Sequence, residues 1–175
     1  MPKPLLHQAK LAWREGDRER AMALFNDGRR RHGDWIDDLG APRFAREQLQ
    51  HLLNAGESDA AIALIEELGA SEQPVWLDRV VATDRSTLPR DMVGDAWVRL
   101  ADRDPEDLVS QGQALRRALA TRDREAVARF AARVGDLALP ANLSCDIGEA
   151  TLLAGDPEAA AWFHQAVTVD PRHAR

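Results

Sequence analysis

Three times along the chain a helical pattern runs into a short Gly-Asp or Gly-Glu turn and resumes, and this punctuation constrains the fold more than any other feature. The segments are AKLAWREGDRERAMALF at 9–25, QLQHLLNAGESDAAIALI at 48–65 and GEATLLAGDPEAAAWF at 148–163. Each reads helix, tight turn, helix. Gly16, Gly56 and Gly155 suit the left-handed position that ends a helix, and Asp17, Ser58 and Asp156 can accept backbone hydrogen bonds at the start of the next. Pro157 suits a first helical position, where its missing N–H would have had no partner. A fourth unit, QGQALRRALATRDREAVARFAARV at 111–134, repeats the pattern with Arg122-Asp123 in place of Gly.

The turns at Arg122 and Gly155 stand about 33 residues apart, and those at Gly16 and Gly56 about 40, so the repeat is imperfect. Between the second and fourth units the sequence predicts a helix from about Pro74 to Ala82, a turn through Thr83 to Leu88 and a helix from about Pro89 to Arg103. Pro74, Pro89 and Pro105 each mark a helix start. The expected total is nine or ten helices of ten to sixteen residues, too short to stand alone. Each must bury an apolar stripe: Ala21, Leu24, Phe25 and Gly28 form one at i, i+3, i+4 and i+7, and Ala61, Leu64, Ile65 and Leu68 form another. β-branched residues are few, Tyr is absent and no long alternating run occurs, which argues against a sheet. The 175 residues suffice for one domain burying roughly 70% of its unfolded surface.

These residues resemble the tetratricopeptide repeat, which places small residues on both helices of a pair, a bulky residue on the second helix and a Pro at the close. Ala9, Ala21, Phe25 and Gly28 fall on those sites in the first unit, and Leu49, Ala61, Ile65 and Leu68 in the second. The final unit is most like the family, with Ala159, Phe163, Ala166 and the closing Asp170-Pro171. The family's early first-helix aromatic is missing from every unit, and the middle third of the chain fits no repeat. The resemblance implies an all-α, right-handed solenoid of antiparallel helix pairs across 1–175. Its units are expected at about 4–33, 41–69, 105–138 and 140–171, with an irregular central segment at 70–104.

It further implies a groove lined by first helices that holds a protein or peptide partner. Groove-facing positions would be Lys10, Trp13 and Arg14, then Arg43, Arg46, Gln50 and Asn54, then Arg116. Such a basic face suits an acidic or carboxylate-ended peptide, because guanidinium pairs bidentately with carboxylate; the same arginines equally suit solvated helix faces. The carboxylate clamp of some family members is missing, since Leu6 and Glu47 occupy two of its places.

No cofactor, metal or catalytic set is predicted. His7, His32, His51, His164 and His173 show no ligand spacing, Cys145 has no neighbouring Cys or His, and no phosphate loop or nucleophile elbow occurs. Asp37-Asp38 and Glu66-Glu67 read as water-facing pairs, and Arg29-Arg30-Arg31-His32 as a basic last helical turn followed by acids suited to the next helix start. Trp13, Trp35, Trp76, Trp97 and Trp162 are spread as helix-packing residues. A net charge of −6 over interspersed residues gives no reason for nucleic acid, and no segment approaches the roughly 18 apolar residues of a membrane span. With no apolar leader and one cysteine, a soluble cytoplasmic protein is expected.

The reading is a non-catalytic scaffold or adaptor. VDPRHAR closes the last unit where a solenoid wants a polar cap, so the chain is expected to be a subunit or the N-terminal module of a larger assembly. Two alternatives stay open. One is an enzyme using Asp84, Arg85, Asp91 or Asp95 in the central segment, and the other is a self-associating solenoid.

Overall fold

A computed structural model describes residues 2–70, 73–84, 86–134, 139–153, 155, 157 and 159–174, leaving aside the side chains of Val134, His173 and Ala174. The described residues form α1 (Pro2–Arg14), α2 (Arg18–Arg31), α3 (Arg43–Ala55), α4 (Ser58–Gly69), α5 (Val75–Thr83), α6 (Arg90–Arg103), α7 (Leu108–Thr121), α8 (Arg124–Val134), α9 (Ala141–Leu153) and α10 (Ala159–Val169). A short 3-10 turn, Pro171–Ala174, follows. Apart from an isolated bridge between Ile36 and Pro42, the described residues hold no β structure. The protein is all-helical, with helices packed in consecutive pairs.

The chain divides into two compact units, Met1–Arg90 and Asp91–Arg175, and the division falls inside the segment read as irregular. Within the first unit α1 packs on α2, α2 on α3, α3 on α4, and α4 touches α5. Within the second, α7 packs on α8, α8 on α9, α9 on α10, and α7 also meets α9. The predicted helices of the central segment form within a residue of their expected bounds, α5 after its N-cap Pro74 and α6 after Pro89.

The turns explain the pairing. Gly16, Gly56, Arg122 and Gly155 have φ of 83, 71, 57 and 75°, the left-handed conformation that reverses the chain. At three of them the amide after the turn residue reaches back five positions, from Asp17 to the Ala12 carbonyl, Glu57 to Leu52 and Asp123 to Ala118, each at 3.0 Å. Asp17 then caps α2 by accepting from the Arg20 amide at 3.1 Å. Three expectations about caps change. Ser58 is not a cap, since Glu57 holds that place; the Ser58 hydroxyl instead donates to the Thr87 carbonyl at 2.5 Å. Pro105 sits in a turn, because Asp107 accepts from the Val109 and Ser110 amides and so fixes the start of α7. Pro157 likewise lies in the turn before α10, which runs from Ala159; Asp156 is outside the described residues.

The stripes read from the sequence are the core. Ala21, Phe25 and Gly28 of α2 and Ala61, Leu64 and Ile65 of α4 are buried, with Leu24 and Leu68 half-buried at the seam edge. In the first unit Leu6, Ala9, Phe25 and Phe44 cluster together, flanked by Trp13 and Trp35. In the second, Leu115, Phe130, Ile147 and Trp162 pack among Ala114, Ala118 and Ala131. Small residues at the crossings let large ones reach across. Gly28 is the extreme case: a Cβ there would fall on the ring of Phe44, well inside van der Waals contact. Gly28→Ala is expected to cost about 1–3 kcal/mol, the usual size of core overpacking. Adding Phe44→Leu should recover part of that loss, and denaturant unfolding of the single and double variants checks both.

Candidate functional site

The first helices carry the residues expected to meet a partner. On α1 and α3 the predicted basic face is largely spent inside the fold. Glu47 of α3 lies between two cations, Lys10 of α1 at 2.8 Å and Arg43 at 3.3 Å, and its side chain is only 13% exposed. Arg46 pairs with Asp37. Of the four cations predicted on this face, Arg14 is the one that makes no ion pair among the described residues. Trp13 is half-buried: its ring stands edge-on to Phe25 and His51, at 6.5 and 5.3 Å between centroids. The Arg18 guanidinium covers it from 3.8 Å and donates to its carbonyl. Trp76 and Trp162 are buried, Trp35 stands edge-on to Phe44, and Trp97 is half-buried on α6.

Asp37 departs from the sequence reading. It sits in the connection between α2 and α3, its side chain 1% exposed, where it accepts from the Leu39 and Ala41 amides at 2.9 and 3.0 Å as well as from Arg46. α3 itself begins after Pro42 with no side-chain cap, so these acids do not serve its start. Burial pushes the Asp37 carboxyl up, yet the hydrogen bonds from Ala41, Leu39 and Arg46, with the Arg46 charge, outweigh it and hold the group below the usual carboxylate range. Nor is the arginine run only a helix-end charge. Arg29 reaches from α2 to α4, donating to both oxygens of Glu67 at 3.1 and 3.2 Å, while Arg30 and Arg31 pair with Asp27.

Two clefts open, each between a helix and the next but one. In the first unit, Gln50 and Asn54 of α3, hydrogen-bonded to each other at 3.1 Å, line a cleft of about 370 Å³ with Val80 and Thr83 of α5. In the second, Arg116 lines a larger one of about 820 Å³ between α7 and α9. The acids proposed for an enzyme alternative each have a local role. Asp84 accepts from the Ser86, Thr87 and Leu88 amides, Asp91 from the Met92 amide, and Asp95 pairs with Arg117 at 3.4 Å. Arg85 lies outside the described residues. Among the described residues no group of three or more His, Cys, Asp or Glu is placed to hold a metal, and no helix is long and apolar enough to cross a membrane.

Comparison with protein-family models, with curated proteins and with solved structures finds no match to this chain.

The Asp37–Arg46 pair makes a pH prediction. A carboxyl whose folded pKa is depressed adds stability above its unfolded value and loses it as the pH falls through the folded one. Asp37→Asn should therefore cost about 1–3 kcal/mol at neutral pH, in the range for losing charge-assisted hydrogen bonds. That deficit should shrink as the pH falls below the ordinary carboxylate range, which urea unfolding at a series of pH values measures.

Proposed function

We propose that this chain is a non-catalytic scaffold or adaptor of the tetratricopeptide-like kind, cytoplasmic, holding a protein or peptide partner on the faces of its first helices. The observation that carries the reading is the pair of open clefts, α3 with α5 and α7 with α9, each between a helix and the next but one and each rimmed by polar or charged side chains. Helix pairs that spend their apolar stripes on one another leave the solvent faces of their first helices available, and a cleft between two rigid helices presents ligand-facing groups at little ordering cost. The polar rim of the α3 cleft suits backbone and side-chain hydrogen bonds to an extended segment. The acidic preference drawn from the arginines rests on Arg14 and Arg116 and on the one positive charge left where Lys10 and Arg43 share Glu47, since Arg46 is neutralised by Asp37.

Photo-crosslinking tests this directly. A benzophenone amino acid in place of Gln50 or Arg116 should capture one and the same protein in cells. The same group at Ala23, exposed on the second helix of the first pair, should not. Gln50→Ala with Asn54→Ala should weaken capture about 3–30-fold, the effect of losing one or two hydrogen bonds, with the melting temperature little changed. Crosslinks only to further copies of the chain, with a mass by light scattering that rises with concentration, would make it a self-associating solenoid instead. No crosslink from either position, at any salt, would remove the binding reading.

A further inference from the structure

The second unit carries charge that its fold does not use. Arg116 of α7, Arg122 of the following turn and Arg124 at the start of α8 line the cleft of about 820 Å³, and Asp146 and Glu149 of α9 line it as well. All five are exposed, and none makes an ion pair among the described residues. In the first unit, by contrast, Lys10, Arg29, Arg43 and Arg46 are all paired within the fold. Leu119, Val127, Ala150 and Leu153 supply the cleft's apolar surface, and Leu153 is 76% exposed.

Arg122 adds an independent observation. Three turns of this chain place Gly in the left-handed conformation, at φ of 83, 71 and 75°, whereas the fourth places Arg there at φ 57°. That conformation disfavours every residue with a Cβ relative to Gly. Its side chain makes no ion pair among the described residues that would offset the strain, yet it lines the cleft. A locally unfavourable residue in a cleft points to a use for its side chain.

We propose that the α7–α9 cleft takes a short peptide segment that carries an acidic and a basic side chain flanking an apolar one, with Arg122 selecting the acidic residue. The inference rests on the reading of the chain as a binder and names what it binds. The guanidinium of Arg122, with Arg116 and Arg124 beside it, offers planar paired donors that match a carboxylate. Asp146 and Glu149 take the cation, and Leu119 and Leu153 cover the apolar residue. Selectivity comes from repulsion as much as attraction: an all-acidic peptide meets the two carboxylates of α9, and an all-basic one meets three arginines.

Fluorescein-labelled peptides DDLLKK, DDLLDD and KKLLKK, titrated into the full chain at low salt and read by anisotropy, test the assignment. The chain's net charge of −6 alone would favour KKLLKK, so a preference for DDLLKK cannot come from bulk electrostatics. The mixed peptide should bind at least about tenfold tighter than either single-sign peptide, as expected for one desolvated charge pair. Arg122→Gly should weaken it about tenfold while raising the melting temperature by about 2–4 °C through relief of the left-handed strain. A merely structural arginine would not give that opposed pair of changes. Equal binding of all three peptides, or unchanged affinity in Arg122→Gly, overturns the proposal. If Arg122→Gly and Asp146→Arg both leave the crosslinked partner of the full chain in place, the cleft assignment falls while the binder reading stands. If the full chain captures no partner and binds no peptide, both fall.

Discussion

The first unit depends on how near α2 and α3 can come to each other. Phe44 lays its ring against α2 at the one place on that helix where no side chain stands, Gly28, and both residues are buried. Around this contact the other rings find their places: Trp35 edge-on to Phe44, His32 stacked on it, and Phe25 set between Trp13 and His51. Helices of 9 to 14 residues have little stability alone, so such crossings decide whether they form. The second unit solves the same problem with different residues, Ala114 and Ala118 making room for Leu115, Phe130 and Ile147. What the two cores share is the alternation of small and large.

That alternation and the left-handed turns were legible in the sequence because both are local. A Gly before an Asp or Glu reports its own backbone, and a stripe at i, i+3, i+4, i+7 reports its own helix. The bounds of α5 and α6 followed from prolines for the same reason. The candidate site was legible only as a choice of helix face. Glu47 reads in the sequence as the wrong residue at a clamp position, and only the fold shows that Lys10 of α1 reaches it. Asp37 looked water-facing because its partner, Arg46, belongs to the next helix and its other donors are loop amides. Pairs within one helix, such as Arg43–Glu47 at i,i+4, follow from spacing, whereas pairs between elements, Lys10–Glu47 and Arg46–Asp37, are three-dimensional facts.

The distribution of ion pairs also says what they do. Lys10–Glu47–Arg43 is half-buried, with Glu47 held between two cations, and it orients α1 against α3. It joins α1 to α3 without adding apolar surface. Arg29 does the corresponding work between the second helices by gripping both oxygens of Glu67. The two rows of helices are tied to each other as well, by Gln48 of α3 donating to Asn26 of α2 at 3.1 Å.

The described residues of the connection after α5 form no helix, yet they are anchored like one. A single oxygen of Asp84 accepts from the amides of Ser86, Thr87 and Leu88, the Thr87 hydroxyl donates to the Leu53 carbonyl at 2.9 Å, and Ser58 donates back to Thr87. These bonds staple the loop to the corner where α3 turns into α4. The loop cannot swing away from that corner without breaking both the Thr87–Leu53 and the Ser58–Thr87 bonds, so a stretch of irregular backbone is held by the helices on either side of Gly56.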